Sequence, residues 1–392
     1  MRKILYIHHA AYWGGAPKSM IETIKSLDKS KYCAQVLLLK NSVVADKLKD
    51  NDIPYILPQS KFYQKYYIYF THSEAGYVKW FQALRIFKLT LYWILSRFIF
   101  AKRELDKIDF DIVHLNSSVL TDWLAPCAKR TKTIIHIREP FRKGKFDILH
   151  YFFRHQMKKY ADRIIAISND NAKRVNLLYK TTVVYNCADS IEKPPSLDSY
   201  QSKKFLYLGG ASLIKGFYTL VDALDFLDKN VIVIFAGNYE IDDASFKGKL
   251  KKFIGWRPKY RKAIAKMKNH SQTQVVGMVD NIYQYIDGTC CVISAFSKPH
   301  FSRAVIEAHL RQKPAIGSNV EGMDEIIEHG INGFIVEKDN PRALAEAINE
   351  MSINPELVKR MGEVGYKVAI GKFSSDNIKS FQRIYDGLRE AK

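Results

Sequence analysis

The residues best suited to chemistry lie in the segment from Ser294 to Val336, which has Glu307 near its centre. Apolar runs separated by glycine and proline turns predict strand, loop, helix, strand, turn, helix, turn and strand in that order. Ser302 is a suitable N-cap, so the helix that carries Glu307 should begin in the loop after a strand. The start of such a helix favours a phosphate, because its backbone N–H groups and the positive end of its dipole point outward.

Glu307 lies little more than one turn into that predicted helix. A carboxylate repels phosphate, but it accepts hydrogen bonds from ribose hydroxyls at other nucleotide sites. A phosphate at the helix start and a ribose on the carboxylate together predict a site for a nucleotide sugar.

The elements that position this site follow from the rest of the chain, where short β-rich runs alternate with helical patterns. That alternation is typical of doubly wound α/β domains. A chain of 392 residues is too long for one compact core, so we expect two such domains. Six strands are predicted in each half: Ile4–Ile7, Ala34–Leu39, Ile112–Leu115, Thr133–Ile137, Arg163–Ile167, Thr182–Tyr185, Phe205–Leu208, Val231–Ala236, Gln274–Val276, Cys290–Ile293, Ala315–Gly317 and Gly333–Val336.

A polar, proline-bearing segment at 188–203 predicts a linker between the two domains. It should separate an N-terminal domain, 1–187, from a C-terminal nucleotide-sugar-binding domain, 204–370. The last segment, 371–392, predicts a helix that packs back on a domain, with the N-terminal domain as a candidate. Ligands of doubly wound sheets lie beyond the carboxyl ends of the strands, so the two domains are expected to face each other across a cleft.

The chain is strongly basic, since 61 Lys and Arg against 40 Asp and Glu give a formal net charge of +21. Such a charge attracts nucleic acid, anionic lipid and pyrophosphate substrates. Five cysteines without a CxxC pair are typical of a reducing compartment. The first apolar run ends at His8, too soon for a signal peptide, and the run Leu89–Ala101 is too short to cross a bilayer. We therefore expect a cytoplasmic protein, peripheral on the inner face of the cytoplasmic membrane.

Several motifs follow one another along the chain: H-A-A-Y-W-G-G-A-P-K-S-M, D-I-V-H-L-N, I-I-H-I-R-E-P, L-Y-L-G-G-A-S-L-I-K-G-F, V-G-M-V-D-N-I and the segment around Glu307. In this order the set resembles the retaining GT-B glycosyltransferases of family four, and the resemblance covers nearly the whole chain. It implies two Rossmann-like domains, transfer of a sugar from a nucleotide donor, and retention of the anomeric configuration. No His/Cys cluster argues for a bound metal, so no metal or other cofactor is expected.

The same resemblance assigns catalysis to His136 and Glu307. An imidazole at the end of a strand can bond a sugar hydroxyl, although a structural histidine is the alternative. An ammonium at a helix start neutralises a leaving pyrophosphate, which supports Lys215, although most lysines are merely solvated. The residues implied in nucleotide-sugar binding are Gly14, Gly15, Gly209, Lys215, Val279, Phe301, Ser302, Arg303 and Glu307.

Two positions depart from the family pattern. Gly210 stands where relatives usually carry Arg, and Pro299 stands where they usually carry the first Glu of an E-x7-E signature. Arg303, or Arg138 from the N-terminal domain, is the expected substitute for the missing phosphate contact. These departures leave open a second interpretation, a GT-B protein that binds nucleotide sugar or glycan with little or no catalysis.

The sequence thus predicts a retaining transferase that uses a UDP- or GDP-sugar. Its expected acceptor is a glycan on polyprenyl pyrophosphate, within synthesis of a cell-surface polysaccharide such as O-antigen (lipopolysaccharide) or capsule. No carboxylate pair is assigned as nucleophile, so the leaving phosphate is expected near the incoming hydroxyl. A basic nucleic-acid binder is a third interpretation, but no RNA- or DNA-binding signature supports it.

Two basic regions remain. In the region Lys61–Arg103 many aromatic residues alternate with cationic residues. Part of this region has apolar residues at helical spacing, which would form a stripe along one face of a helix. That stripe suits an interfacial helix on anionic lipid, or equally a helix packed on the core. The region Lys247–Lys268 suits lipid headgroups or phosphate, with a solvated helix face as the alternative. The stripe residues are Phe81, Leu84, Leu91, Ile94, Leu95 and Phe98.

Overall fold

The structure is a computed structural model that describes residues 1–9, 11–74, 76, 82–188, 195–240, 258–279, 281–374 and 377–388. The chain forms two compact units, the first Met1–Cys187 with Ser375–Lys392, and the second Ala188–Ser374. Each unit contains one parallel β-sheet whose strands are joined largely through helices. The expected class, α/β with two doubly wound Rossmann-like domains, is confirmed.

The sheet of the first unit has seven strands in the order β3-β2-β1-β4-β5-β6-β7. The inner strand β1 pairs in parallel with β2 on one side and β4 on the other. The direction in which the chain adds strands therefore reverses between β1 and β4, which makes that point the topological switch point. The strands are β1 Arg2–His8, β2 Tyr32–Leu38, β3 Tyr55–Ile56, β4 Ile112–Leu115, β5 Lys132–Ile137, β6 Arg163–Ala166 and β7 Thr181–Val183.

The helices of the first unit follow its strands and cover both faces of the sheet. Along β1, Leu5 and Ile7 belong to one buried cluster, whereas Ile4 and Tyr6 belong to another. This alternation is what a parallel sheet buried on both faces requires. The α-helices are α1 Gly15–Lys25, α2 Val43–Lys49, α3 Ala83–Leu95, α4 Ala101–Leu105, α5 Leu124–Ala128, α6 Ile148–Tyr160 and α7 Asn169–Val175, with π-helical turns at Phe62–Tyr66 and Ser96–Phe100 and 3₁₀ turns at Ser118–Leu120 and Leu178–Lys180.

The second unit has a six-stranded sheet in the order β10-β9-β8-β11-β12-β13. Its switch point lies between β8 and β11, which pair directly and in parallel. The strands are β8 Lys204–Tyr207, β9 Ile232–Ala236, β10 Thr273–Gly277, β11 Cys291–Ser294, β12 Ala315–Ser318 and β13 Gly333–Val336. The α-helices are α8 Leu197–Gln201, α9 Phe217–Ala223, α10 Pro258–Asn269, α11 Ile282–Asp287, α12 Arg303–His309, α13 Pro341–Ile353 and α14 Pro355–Phe373, with a 3₁₀ turn at Leu224–Phe226.

The last helix, α15 Asn377–Asp386, belongs to the first unit. The hydroxyl of its Tyr385 lies 2.5 Å from that of Tyr6 and 2.8 Å from Nδ1 of His114. Arg2 also donates from NH1 to the carbonyl of Tyr385 at 2.8 Å. The C-terminus thus completes the core beneath β1 and β4.

All twelve predicted strands are present, with ends that differ by no more than two residues. The sequence analysis missed β3, which consists of Tyr55 and Ile56 alone. Two residues are too few to show the alternation of apolar and polar side chains by which a strand is recognised.

Helix α3 and the π-helical turn after it carry the apolar stripe that the sequence predicted, and most of its described residues are exposed. Leu84 is 87% exposed, and Phe98 in the following π-turn is 67% exposed. The residues of α3 that are buried in the core are Leu89 and Trp93, on the other side of the helix. Leu95 of the stripe is half-buried and packs against the core, so the core-packing interpretation holds for this residue but not for the exposed Leu84, Leu91, Ile94 and Phe98. Phe81 and residues 247–257 of the second basic region lie outside the described residues.

Candidate functional site

The switch point of the second unit brings together two loops, one after β8 and one after β11. Ser297 of the second loop donates from its backbone N–H to the carbonyl of Ile214 at 2.9 Å, and its hydroxyl lies 3.3 Å from the carbonyl oxygen of Leu213. Gly209 begins the first loop and Phe301 ends the second. The two loops are thus held as one surface beyond the carboxyl ends of the central strands, where doubly wound sheets bind ligands.

Two glycines give the first loop its shape. Gly210 has φ +57°, and a Cβ on it would lie 3.2 Å from the backbone N and O of Asn238. Gly216 has φ +79°, and a Cβ on it would collide with the carbonyl of Ala295 in the neighbouring loop. Only glycine enters this left-handed region without steric cost. The glycine that replaces the family's arginine at position 210 therefore suits the local backbone.

Lys215 occupies the loop after β8, directly before the glycine that starts α9. Its side chain is partly buried, and this burial lowers the pKa of its ammonium from the usual lysine value. Within the described part of the chain, no carboxylate lies within ion-pairing distance of it. Burying a cation without a counter-ion is costly, so the position suits an anionic ligand.

His300, which the sequence analysis missed, lies in the neighbouring loop. Its ring stacks on Phe296 with centroids 3.8 Å apart, and the backbone N–H of His300 donates to the carbonyl of Glu321 at 3.0 Å. Burial and the positive charge of Lys215 lower the pKa of His300 to about 3. A neutral imidazole can donate and accept hydrogen bonds beside Lys215 without adding charge.

Helix α12 begins after Ser302 as predicted, but the serine hydroxyl does not cap it. That hydroxyl instead accepts a hydrogen bond of 2.8 Å from Ser294. Glu307 is the fifth residue of α12 and is 3% exposed. Its Oε1 accepts a hydrogen bond of 2.9 Å from Nε of Arg303, which lies one turn earlier. The expected phosphate substitute Arg303 is therefore already paired with the expected ribose acceptor.

Three further predicted residues surround this loop pair. Phe301 is buried and its ring lies 6.0 Å from that of Phe373, so it anchors the loop from below. Pro299 is partly exposed. Val279, after β10, packs with Ala304 on the same small apolar cluster under the sheet edge. All predicted residues of the C-terminal domain thus follow the carboxyl ends of its strands.

In the first unit, Gly14 and Gly15 start helix α1 after β1. Gly14 is the N-cap with φ −166°, and neither glycine adopts a left-handed conformation. A Cβ on Gly14 would make only ordinary contact with Tyr12. The loop therefore does not depend on the positive φ that the glycine pair permits, and its role in ligand binding stays a prediction.

Arg138 follows β5 and takes part in a buried polar cluster at the same edge. Its Nε donates to Asn116 at 2.8 Å, and its NH1 donates to Asn186 at 3.2 Å. The adjacent Glu139 accepts hydrogen bonds from the hydroxyls of Ser117 and Ser118, at 2.7 and 2.9 Å. These contacts fix Arg138 within the first unit.

His136 is 1% exposed and takes part in a chain of buried hydrogen bonds. Its Nδ1 lies 3.2 Å from Nε2 of His114, whose other nitrogen bonds Tyr385. Burial lowers the pKa of His136 well below its usual value. This setting favours the structural alternative, and a catalytic role of His136 stays a prediction.

Two histidines that the sequence analysis did not single out lie at the switch point of the first unit. Asn116 and Nδ1 of His8 are 3.0 Å apart, while Nε2 of His8 and Nδ1 of His9 have no hydrogen-bond partner among the described residues. Burial lowers the pKa of His9 to about 4. Neutral imidazoles of this kind can bond sugar hydroxyls. Their position at the end of the first strand was a signal that could have found them.

Among the residues that the structure describes, no group of three or more His, Cys, Asp and Glu side chains could hold a metal ion. The acidic pair Asp109 and Asp111 precedes β4, at the opposite edge of the sheet from the switch point, and Asp109 pairs there with Lys3. Metal-independent chemistry stays a prediction.

Two family models match the chain in succession. The model described as Glycosyltransferase Family 4 matches residues 62–190, and the model described as Glycosyl transferases group 1 matches residues 189–368. They support a glycosyltransferase.

Similar curated proteins carry related names. An uncharacterized glycosyltransferase of Methanocaldococcus jannaschii is 23% identical over 309 residues, which are 76% of this chain and 81% of that protein. The putative glycosyltransferase EpsD of Bacillus subtilis is 21% identical over 318 residues, 74% of this chain and 80% of EpsD. The capsular polysaccharide biosynthesis glycosyltransferase CapM of Staphylococcus aureus is 37% identical, but over 78 residues, 20% of either chain.

Among solved structures, Anabaena HepE in complex with UDP and glucose is similar, with a TM-score of 0.74 and 19% identity over 99% of both chains. The lipopolysaccharide outer core galactosyltransferase WaaB is similar with a TM-score of 0.65 and 17% identity, over 98% of this chain and all of WaaB. The chain therefore has the GT-B fold.

Proposed function

We propose that this GT-B protein is a retaining glycosyltransferase whose second unit binds the nucleotide-sugar donor. The observation that carries the proposal is Lys215, a partly buried ammonium with no carboxylate partner in the described chain, at the switch point of that unit. A diphosphate would supply the missing counter-charge. HepE, which shares the fold, was solved with UDP and with UDP-glucose, and this supports the same ligand class.

In the proposed reaction, the bond from the sugar's anomeric carbon to the diphosphate oxygen breaks, and a bond to the acceptor oxygen forms on the same face. The acceptor hydroxyl gives its proton to the leaving phosphate. Lys215 stabilises the charge that grows on the diphosphate, which lowers the barrier. Glu307 holds the ribose hydroxyls, with its carboxylate oriented by Arg303.

The proposed acceptor is a glycan carried on a membrane lipid, as in O-antigen or capsule synthesis at the cytoplasmic face. The exposed stripe of α3 supports it, because an apolar surface beside cations suits an anionic bilayer. The name of CapM agrees with a capsule role over the short segment that it matches. In the described chain no helix is long and apolar enough to cross a membrane.

The alternative is a GT-B protein that binds nucleotide sugar with little or no catalysis. It rests on Gly210 and Pro299, which replace two residues that similar enzymes usually carry. The positive φ of Gly210 fits this backbone, so the glycine itself is no sign of a damaged site. Turnover distinguishes the two functions.

The experiment gives purified protein a panel of UDP- and GDP-sugars with a glycan on undecaprenyl pyrophosphate, and measures nucleotide release and product. We expect one donor to be consumed, and Lys215→Ala to abolish most of that activity. An exposed lysine of the same unit, Lys229→Ala, serves as the matched control. Donor binding measured by calorimetry without turnover would establish the alternative. If the protein shows no donor binding and no turnover, both functions are refuted.

A further inference from the structure

The first unit contains a basic pocket of about 370 Å³ that the proposed donor site does not involve. It lies between α6, α7 and the loop before α6. Its lining includes five cationic residues: Lys143, Lys145, Arg154, Lys173 and Arg174.

The two arginines of this pocket are held in place by hydrogen bonds and ion pairs within the fold. Arg154 donates from NH2 to the carbonyl of Asn176 at 2.7 Å, so it closes the end of α7. Arg174 is buried and paired with Asp170 at 2.5 Å, with Glu74 at 3.6 Å. The nearby Asp147 accepts a hydrogen bond from the backbone N–H of His150. These acids are therefore engaged within the fold.

The three lysines of the pocket are exposed and face no acid. No carboxylate of the described residues lies within ion-pairing range of Lys143, Lys145 or Lys173. Three ammonium groups around one pocket suit a ligand with at least two negative charges better than a singly charged one.

The rim of the pocket is apolar. Tyr151 lines the pocket, and its neighbours Phe146, Ile148 and Phe152 are all exposed. The ring of Phe152 packs edge-on against Trp93 of α3, with centroids 5.2 Å apart. The rim therefore adjoins the helix that carries the exposed stripe.

We propose that the pocket between α6 and α7 binds the phosphomonoester or pyrophosphate head of a membrane lipid, while the stripe of α3 and the rim enter the bilayer. The inference rests on the proposed membrane association and specifies its partner. An apolar surface next to a cationic pocket matches a lipid whose charged head adjoins its acyl or prenyl chains.

The experiment uses the full chain without any donor, so its result does not depend on glycosyl transfer. Vesicles of phosphatidylcholine are mixed with either phosphatidic acid, a phosphomonoester, or phosphatidylglycerol, a phosphodiester, at equal surface charge. We expect tighter co-sedimentation with phosphatidic acid. With each lysine worth about fivefold near a surface, Lys143→Gln/Lys145→Gln/Lys173→Gln should weaken that binding on the order of 100-fold.

The matched control is Lys25→Gln/Lys29→Gln/Lys31→Gln, which removes the same charge. These exposed lysines precede β2, at the amino edge of the same sheet. The control should keep the preference for phosphatidic acid. Circular dichroism and melting temperature report whether each variant is folded.

Two results would overturn the proposal. One is equal binding of the wild type to both anionic vesicles, and the other is a pocket variant that behaves like the control. Equal binding to both vesicles together with calorimetric binding of inorganic phosphate that the pocket variant loses would assign the pocket to free phosphate. If the wild-type protein prefers phosphatidic acid but shows no turnover with the donor panel, the proposed function is refuted and the lipid-binding proposal stands.

Discussion

Arg303 and Glu307 are one helical turn apart on α12, with Nε and Oε1 joined by a 2.9 Å hydrogen bond. Both side chains are largely buried. A variant that removes one of them breaks this buried ion pair, which costs several kcal/mol in comparable pairs. Glu307→Ala would therefore confound ligand binding with folding, and Glu307→Gln is the better probe.

We expect Glu307→Gln to weaken nucleoside diphosphate binding by about 10- to 100-fold, because a hydrogen bond to a charged group is worth about 1.5–3 kcal/mol. A sharper measurement compares the ribo- and 2′-deoxyribonucleotide by calorimetry. The wild type should prefer the ribonucleotide, and the variant should lose that preference. An unchanged preference in Glu307→Gln would show that the carboxylate serves only Arg303.

Donor binding should depend on the ionisation of Lys215. Burial lowers its pKa, so the ammonium is lost at a lower pH than an ordinary lysine. Nucleotide affinity should therefore be constant at neutral pH and fall as the pH rises through that lowered pKa.

Arginine stays charged at every accessible pH, so Lys215→Arg should make the alkaline limb of this profile flatter. Calorimetric titration of the nucleotide across the alkaline range measures both profiles. An identical fall in the wild type and in Lys215→Arg would assign the ionisation to another group.

Restoring the family's arginine at position 210 should not restore a phosphate contact. The left-handed backbone of Gly210 makes any side chain cost about 1–2 kcal/mol, so Gly210→Arg and Gly210→Ala should both lower the free energy of unfolding. Gly371, near the end of α14, has open space for a Cβ, and Gly371→Ala should raise stability by roughly 0.5–1 kcal/mol. Chemical denaturation measures all three, and a stable Gly210→Arg that binds nucleotide more tightly would contradict this explanation.

The exposed stripe should govern vesicle binding whatever the headgroup preference. Inserting a Leu side chain into a bilayer is worth about 1.5–3 kcal/mol, so Leu84→Ser/Leu91→Ser should weaken co-sedimentation by on the order of 100-fold or more. Leu197→Ser/Ile353→Ser, at exposed apolar positions of the second unit, is the control. Equal loss in both double variants would argue against an α3 docking surface.

Arg97 needs separate treatment in such experiments. Its guanidinium carbon lies 5.0 Å from the ring centre of Trp93 and 4.9 Å from that of Tyr160, so it holds α3 against α6. Neutralising Arg97 would disturb packing, whereas Arg85 and Lys88 are exposed and can be neutralised to test the role of charge.

The first unit should lose stability in mild acid. Burial keeps the pKa of His9 at about 4, against 6.5 in an unfolded chain. Below pH 6.5 the unfolded state binds a proton that the folded state does not, so His9 removes about 1.4 kcal/mol of stability per pH unit until pH 4. His8, His114 and His136 act in the same direction.

Chemical denaturation between about pH 7.5 and pH 5 measures this slope. His9→Gln should reduce it, and His155→Gln, an exposed histidine of α6, should leave it unchanged. A free energy of unfolding that does not vary over this range would contradict the prediction.

The strands were predictable because each is a short, continuous run of β-branched and aromatic residues between glycine, proline or polar turns. The orientation of α3 could not be predicted. The spacing of Leu84 and Phe98 shows that they lie on one face of the helix, but it does not show whether that face is buried. Exposure depends on neighbours such as Phe153, which are remote in sequence.

The candidate site was predictable in part for the same reason. Lys215 and Glu307 follow strands that pair directly, and the order of strands in a doubly wound sheet brings their loops together. The pairing of Arg303 with Glu307 was also readable from their i, i+4 spacing. The burial of His136 was not, because the Tyr385 that completes its hydrogen-bond chain comes from the far end of the sequence.

The packing of the last helix, α15, on the first unit affects the order in which the two units can fold during translation. Tyr385 supplies core contacts to the first strand, so the N-terminal half emerges from the ribosome long before its last helix exists. The second unit is one continuous stretch, Ala188–Ser374, so all of it has been synthesised before the last helix of the first unit. Nonsense or frameshift changes that remove the final twenty or so codons should therefore damage the half of the protein that was synthesised first.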